Sequence, residues 1–292
     1  MRIVLWLWLC AGTLPLSGQP RGLEFLRFQP DAVSLALGTT HVAASEAEAL
    51  AAQGNPALLG LYPQWRGGLG YQAWIGQTGR VALALSGPVG PRTGWSVLLE
   101  VAGPLYAENE GARFGRIGLA CGHRLASWLA LGLSSALALE RLPEGSRRTV
   151  LLTGSLWASP RPYLRIGLKL EHTGRPRGPV PFPESARTSG YLGLGLDVLH
   201  LRTAEGLSLL LVRCLGEGLV ASGSGWEGRA GLELWLPGTW LVLRAGYRSG
   251  PYRGPSLGLG LEARGWSVAY AWAPFPGGYG TTHSISLSTR WP

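Results

Sequence analysis

The clearest feature of this chain is an alternation of apolar residues with polar or small residues from residue 67 onward. Residues 128–141 place leucine at positions 129, 131, 133, 137 and 139, with alanine, glycine, serine or glutamate at most of the positions between them. Successive side chains of a β-strand face opposite sides, so this period of two predicts strands with one apolar face. A helical period of 3.6 would scatter the same leucines around the whole circumference.

About 14 such segments follow one another along the chain. We predict strands near residues 67–76, 79–87, 93–102, 113–124, 126–141, 147–159, 161–173, 188–200, 205–216, 226–237, 239–249, 254–264, 265–273 and 280–291. An even number of antiparallel strands is typical of single-chain membrane barrels.

The connections between these segments fall into two classes. The even-numbered connections include tight turns at 124–126, 159–161, 237–239 and 264–265. The odd-numbered connections are mostly longer, at 103–112, 172–187, 216–225 and 274–279, and the first hairpin near 77–79 is an exception. Short periplasmic turns and longer extracellular loops are a feature of outer-membrane barrels. The alternation and the loops together predict an all-β fold, a transmembrane antiparallel β-barrel.

The composition excludes the two commonest alternatives to a barrel. The chain has 45 glycines in 292 residues and only 15% charged residues, which is unusual for a water-soluble protein. No segment after the N-terminus runs for 18 apolar residues without glycine, proline or charge, so a helical membrane protein is not indicated either. We therefore expect a protein of the cell outer membrane that contacts outer-membrane lipid.

The first 65 residues do not alternate and divide into two parts. Residues 1–18 contain Arg2, an apolar run and then small residues, a pattern typical of a cleaved signal peptide. Residues 19–65 are predicted to form a short plug or hatch, and residues 66–292 the barrel. Within the hatch, Ser45 and Glu48 fit a capping box, which predicts a helix over 46–53 that ends at Gly54.

Charged residues on the strands lie mostly between the leucines, on the face predicted to line the lumen. We expect a ladder of ion pairs there, built from Arg165, Lys169, Glu171, Arg244 and Glu262. Such a ladder can hold a barrel rigid or line a polar pathway, and the structural role is the favoured one.

The sequence offers no pattern for catalysis, a metal or a cofactor. The five histidines are dispersed, without a carboxylate or second histidine at ligand spacing, and the one Gly-x-Ser-x-Gly match, residues 254–258, lies within a predicted strand and not at a strand-to-helix turn. The formal charge of +9 could suit nucleic acid, but the predicted compartment argues against that partner. We predict that the protein is not an enzyme.

The N-terminal segment also carries a family resemblance. The segments concerned are Phe25-Leu26-Arg27, Ser34 to Gly38, Val42-Ala43, Ala49-Leu50 and Asn55 to Leu59. They resemble the N-terminal signature of PorV/PorQ-type proteins, part of the FadL-like barrel group, with departures at Gly54 and Leu59. The residues carried over as the hatch motif are Gly38, Gly54, Asn55, Pro56 and Ala57.

This resemblance implies two alternative functions. The PorV/PorQ pattern implies a non-enzymatic platform or shuttle linked to type IX protein secretion, with a blocked lumen and with envelope or secreted proteins as partners. The FadL-like group implies instead a channel for hydrophobic small molecules, gated by the segment around Asn55 to Ala57. The chain is short for a FadL-like transporter, which favours the platform or shuttle.

Overall fold

A computed structural model of the chain describes eleven stretches of residues. They are 30–44, 48–74, 78–105, 112–142, 145–178, 187–203, 208–221, 225–236, 239–250, 252–275 and 280–291. The predicted signal peptide and the motif at Phe25 to Arg27 lie outside these residues.

Fourteen antiparallel strands close into one barrel, as predicted. Their bounds are β1 Arg66–Trp74, β2 Thr78–Gly90, β3 Thr93–Pro104, β4 Arg113–Ala126, β5 Leu129–Leu142, β6 Gly145–Arg161, β7 Leu164–Thr173, β8 Arg187–Arg202, β9 Ser208–Ala221, β10 Gly225–Leu236, β11 Leu241–Arg248, β12 Gly254–Ala263, β13 Trp266–Pro274 and β14 Thr281–Arg290. Each strand pairs with its neighbours in sequence, and β1 pairs with β14 to close the barrel.

The two ends of the barrel differ in their connections. One end, here the turn end, has the connections 91–92, 127–128, 162–163 and 264–265, together with 203–207 and 237–240. The other end, the loop end, includes the longest connections, 105–112 and 174–186. The loop predicted at 216–225 is wrong, because β9 continues to Ala221 and pairs with β10 as far as Gly225. Gly216 and Gly218 suggested a loop, but both lie within a strand.

The alternation of the sequence becomes an outer and an inner face of the wall. Leu131, Leu133, Leu137 and Leu139 of β5 are exposed on the outside, as are the equivalent leucines of neighbouring strands. Buried polar residues, such as Glu140 on the same strand, point into the lumen. Exposed aromatic rings at the turn end lie on three connections and on the first residue of β13: Trp128, Tyr163, Trp240 and Trp266. Aromatic belts of this kind mark the edge of a membrane.

The residues before β1 fold into the lumen as a hatch, defined here as residues 30–44 and 48–62. It contains two short helices, α1 (Ala32–Ala36) and α2 (Leu58–Leu61). Helix α1 packs against β11 to β14, and α2 packs against β3 to β5 on another part of the wall. The helix predicted over 46–53 is wrong for residues 48–53, which are not helical and form turns from residue 49 onward. No helix in the described ranges is long and apolar enough to cross a membrane.

Candidate functional site in the barrel lumen

The wall carries glycines where the hatch backbone passes closest to it. A side chain at Gly167 would overlap the carbonyl group of Val42, and one at Gly132 would overlap the backbone between Pro56 and Ala57. The same holds at several other lumen-facing positions: Gly70 against Pro30, Gly94 against Leu59, Gly122 against Pro56, and Gly246 against Leu37 and Gly38. The glycines on the inner face therefore form a track on which the hatch backbone lies.

Gly38 is the first of the predicted hatch residues, and it ends the turn after α1. Its φ of 69° lies in the left-handed region, which glycine adopts without steric cost. A Cβ atom there would also lie 2.7 Å from the carbonyl oxygen of Tyr247. The Gly38 N–H donates to Ser256 Oγ at 3.1 Å, and that hydroxyl donates to the Ala36 carbonyl at 2.9 Å. Gly38 thus fixes the end of α1 against the wall.

The predicted motif from Gly54 to Ala57 lies at the centre of the hatch. Asn55 is fully buried, its side-chain amide donates to the Val42 carbonyl at 2.5 Å, and its Oδ1 accepts from the Ala57 N–H at 3.2 Å. The same Ala57 N–H lies 3.0 Å from Ser155 Oγ on β6. Gly54 closes a turn by donating to the Ala51 carbonyl at 2.8 Å. The motif thereby joins two distant parts of the hatch and attaches them to the wall.

A buried carboxylate on β9 holds the turn of the hatch before this motif. Glu217 Oε2 accepts the backbone N–H groups of His41 and Val42, each at 3.0 Å. Its Oε1 accepts from Arg229 Nη1 at 3.0 Å, and Arg229 also donates to the Thr39 carbonyl at 3.2 Å. Hydrogen bonds to charged groups are about twice as strong as those between neutral groups. Glu217 and Arg229, which the sequence did not single out, therefore form the strongest polar attachment of the hatch.

The imidazole of His41 is enclosed by the same cluster. Its Nδ1 lies 2.9 Å from the Thr39 carbonyl, and its Nε2 lies 3.1 Å from Lys169 Nζ, an arrangement that assigns the proton to Nδ1 of a neutral ring. Burial lowers the pKa of His41 to about 4, with Lys169 and Arg229 acting in the same direction and Glu217 opposing them. His41 is therefore uncharged at neutral pH while the hatch is seated.

The charged residues predicted for the lumen occupy two separate groups. Arg165 pairs with Asp197 at 2.5 Å, and a chain of ion pairs continues from Asp197 through Arg213, Glu233 and Arg244 to Glu262. Lys169 pairs instead with Glu171 at 3.4 Å and lies 3.8 Å above the Tyr191 ring. The structure therefore places Arg165, Arg244 and Glu262 in one row across β7 to β12, and Lys169 and Glu171 beside His41.

Two connected cavities separate the hatch from the wall towards the turn end. The inner cavity, of about 50 Å³, is lined by residues that include Asp31, His41 and Arg213. The outer cavity, of about 240 Å³, is lined by residues that include Arg66 and Arg290 at the turn end. Glu48, Trp235 and Glu262 line both. The lining on this side of the hatch therefore combines charged side chains, such as Glu48 and Glu262, with apolar ones, such as Trp235.

The lumen near the loop end has a different character. Ala138 and Leu151 are buried there, and Trp74, Phe114 and Ala136 pack against them. Trp74 is the last residue of β1 and Phe114 the second of β4, which places both near the loop end. Within the described ranges, no three His, Cys, Asp or Glu side chains are grouped to hold a metal ion. The hatch thus separates this apolar patch from cavities that also have charged residues in their lining.

Comparisons with known proteins show what this architecture resembles. No protein-family model matches the sequence, and no curated protein matches it. Among solved structures, a FadL homologue of Pseudomonas aeruginosa covers 89% of this chain and 98% of its own, with 10% identity and a TM-score of 0.56. The toluene transporter TodX of Pseudomonas putida covers 90% and 97%, with 11% identity and a TM-score of 0.58. The monoaromatic hydrocarbon channel CymD covers 90% and 99%, with 14% identity and a TM-score of 0.57.

These similarities concern the fold, since the identities are low. They support the FadL-like part of the resemblance. The three structures are a FadL homologue, a toluene transporter and a monoaromatic hydrocarbon channel, and none of them is named as a PorV/PorQ protein. Because outer-membrane barrels have short periplasmic turns and longer extracellular loops, we infer that the turn end is the periplasmic end and the loop end the extracellular end. The chain is an outer-membrane β-barrel with the FadL-like fold, whose lumen holds an N-terminal hatch.

Proposed function

We propose that this protein is a channel that takes up small hydrophobic compounds across the outer membrane, gated by the hatch. The observation that carries the proposal is the seating of the hatch, which lies on a glycine track and is attached to the wall through discrete hydrogen bonds. A plug that never moves would not need a wall surface of glycines, contacted by its backbone and linked to it by only a few hydrogen bonds. The neighbouring structures named as a toluene transporter and a monoaromatic hydrocarbon channel supply the substrate class.

The spaces on the two sides of the hatch suggest a path for the compound. A hydrophobic compound that enters from outside contacts the apolar patch of Trp74, Phe114 and Leu151. Burial of apolar surface contributes about 25 cal/mol per Å², so this patch favours the entry of such a compound. The cavities on the periplasmic side have charged as well as apolar residues in their lining, and a compound that passes the hatch leaves through them.

The row of ion pairs from Arg165 to Glu262 serves as a brace in this proposal. It links six successive strands, β7 to β12, through side chains that do not belong to the hatch. A closed barrel already has no free strand edges, and the row adds cross-strand attraction along its inner face. The wall can then keep its shape while the hatch shifts.

A reversible lock on the hatch tests the proposal directly. Ala49 lies on the hatch, and its Cβ is 3.5 Å from the position of a Cβ at Gly68 on β1, which is a separation that a disulfide spans. The double variant Ala49→Cys with Gly68→Cys, made in a background where Cys121 and Cys214 are serine, is expected to take up labelled toluene when reduced. We expect the oxidised form to lose that uptake and to regain it on reduction.

The single variant Gly68→Cys in the same background is the matched control, because it carries the same crowding of Leu50 without the bridge. Uptake that continues in the oxidised double variant would show that the hatch is not the gate. If neither the wild type nor any reduced form raises toluene uptake above that of cells without the protein, the channel proposal is wrong.

The second candidate is a platform for other envelope or secreted proteins, as the PorV/PorQ resemblance implies. The small volume of the inner cavity, about 50 Å³, favours it, because a platform needs no passage. Purification of the surface-tagged protein in mild detergent distinguishes the two candidates. Stoichiometric partner proteins, together with a heat-dependent shift of the barrel on a gel, support the platform. A barrel that shifts but carries bound hydrophobic compound supports the channel.

A further inference from the structure

The outer surface of the barrel has two adjoining recesses that the alternation pattern does not explain. One has a volume of about 600 Å³ and is lined by residues that include Leu119, Ser135 and Leu152. The other, of about 590 Å³, has Leu192 and Trp226 in its lining. Gly154 and Leu170 line both recesses. Together they form a broad apolar hollow across β4 to β10, on the face that contacts the membrane.

The glycines in this hollow are not required by packing. A Cβ at Gly190 would meet nothing within 4 Å, and one at Gly154 would meet only a methyl group of Leu133, at 3.8 Å. Neither residue has a positive φ. Glycine is less favourable than alanine within a strand, because it loses more conformational freedom on folding. The hollow is therefore kept open at positions where a side chain would fit.

Four arginines lie on the same outer face at the extracellular ends of the strands. Arg113 on β4 is directly opposite Arg141 on β5, and Arg148 on β6 is directly opposite Arg177. Arg141 pairs with Ser146, so Arg148 is its diagonal neighbour across the two strands. All four are exposed, and no ion pair with any other described residue neutralises them. Like charges placed directly opposite each other are destabilising, so an anion bound between these arginines would relieve their repulsion.

The distance between the arginines and the hollow matches a membrane lipid. Arg141 lies six residues from Ser135 along β5, and Arg148 lies four residues from Leu152 along β6. At about 3.4 Å per residue these separations are roughly 13 to 20 Å along the strands. One leaflet contributes about half of a hydrocarbon core of ~30 Å. A headgroup at the arginines would therefore place its acyl chains in the hollow.

We propose that this face binds a phosphorylated lipid of the outer leaflet that carries several acyl chains. Arg113, Arg141, Arg148 and Arg177 contact its phosphate groups, because guanidinium groups bind phosphate oxygens in a bidentate manner. Its acyl chains occupy the two recesses on either side of Gly154. The site lies outside the lumen, so it does not depend on the proposed transport.

Native mass spectrometry of the full chain in neutral detergent tests the site, with bis-phosphorylated lipid A as the probe. Arg113→Gln combined with Arg141→Gln is expected to weaken binding by about tenfold or more. The matched control, Arg161→Gln with Arg202→Gln, removes two exposed arginines at the periplasmic end and is expected to bind as the wild type does. Lipid A without its phosphates, and phosphatidylglycerol, are both expected to bind more weakly than the probe.

A separate variant tests whether the hollow holds the acyl chains. Gly154→Leu fills the boundary of both recesses and is expected to weaken lipid A binding, while Gly216→Leu on the same outer face lies outside the lining and leaves it unchanged. Equal binding of the dephosphorylated lipid, or an equal loss in the periplasmic control, would overturn the proposal. Cross-linking that shows a second copy of the chain seated in the hollow would overturn it as well.

Discussion

The glycines of the inner and outer faces of this barrel look alike in the sequence but differ in what surrounds them. Gly167 on the inner face is pressed against the hatch, where any side chain would overlap the backbone of Val42. Gly216 on the outer face has nothing within 4 Å of the position of a Cβ. The inner glycines of the track therefore follow from the fold of the hatch, whereas outer glycines such as Gly216 and Gly190 shape a surface that the packing of the fold does not need.

Strand β9 shows this difference within three residues. Gly216 and Gly218 point outward, and Glu217 between them points into the lumen and accepts two N–H groups of the hatch. Substitutions at adjacent positions of β9 therefore change opposite faces of one strand. Such substitutions allow the attachment of the hatch and the stability of the wall to be measured independently.

The largest effect is expected for Glu217→Ala. This substitution removes the acceptor of the His41 and Val42 N–H groups and leaves Arg229 buried without that partner. Loss of one member of a buried ion pair costs about 3–5 kcal/mol. Hydrogen exchange of residues 30–62 in the purified protein is expected to accelerate strongly. If the exchange of the hatch is unchanged, Glu217 does not hold it.

Acidification is expected to have the next largest effect, through His41. Its pKa is lowered to about 4 in the seated hatch, whereas a released hatch would expose it with a value near 6.5. The released form therefore binds more protons between these values, and the seating is weakened as the pH falls from about 6.5 to 4. At pH 4.5 the loss is about 2–3 kcal/mol, and above pH 7 it is absent.

The variant His41→Gln serves as the control for this pH dependence, because glutamine does not titrate. Glu217, Lys169, Arg229 and Tyr191 surround the ring in both proteins, so the difference between the two isolates the imidazole. Hydrogen exchange of the hatch is compared between the two proteins at pH 7 and at pH 4.5. An equal acceleration in both at pH 4.5 would assign the effect to other groups.

Crowding the glycine track is expected to have a smaller effect than either. Gly167→Val forces Val42 away from β7, and overpacking of this kind costs typically about 1–3 kcal/mol. The matched variant Gly216→Val adds the same side chain to open space on the outer face. Toluene uptake and hatch exchange are expected to change only in the first. Similar changes in both variants would mean that the two faces do not differ in the way described.

The sequence predicted the wall much better than it predicted the hatch. Alternation is a local signal, so Leu129 to Leu139 indicated a strand with an apolar outer face, and 14 such segments indicated the barrel. The helix expected over 46–53 rested on a capping box, but the helices lie instead at 32–36 and 58–61. Contacts with the wall determine the conformation of the hatch, because the helix propensity of its residues is too weak to do so.

The same limit applies to the functional residues. Asn55 to Ala57 stood out through a motif, whereas Glu217 and His41 gave no local signal, because they are 176 positions apart in the sequence. The glycines of β9 were even misleading, since Gly216 suggested the start of a loop. A glycine in a strand that faces lipid and a glycine in a loop produce the same local pattern, and only the strand pairing distinguishes them.

The smallest predicted effect, Gly216→Ala, is also the only one expected to be stabilising. Alanine restricts the unfolded chain and meets no atom in the folded wall, so the gain is about 0.5–1 kcal/mol. The temperature at which the barrel unfolds in a heat-modifiability gel is expected to rise slightly, with hatch exchange unchanged. A lower unfolding temperature would mean that the outer glycine supports the wall. In that case the open space around it would not be free for a side chain, and the contrast with Gly167 would fail.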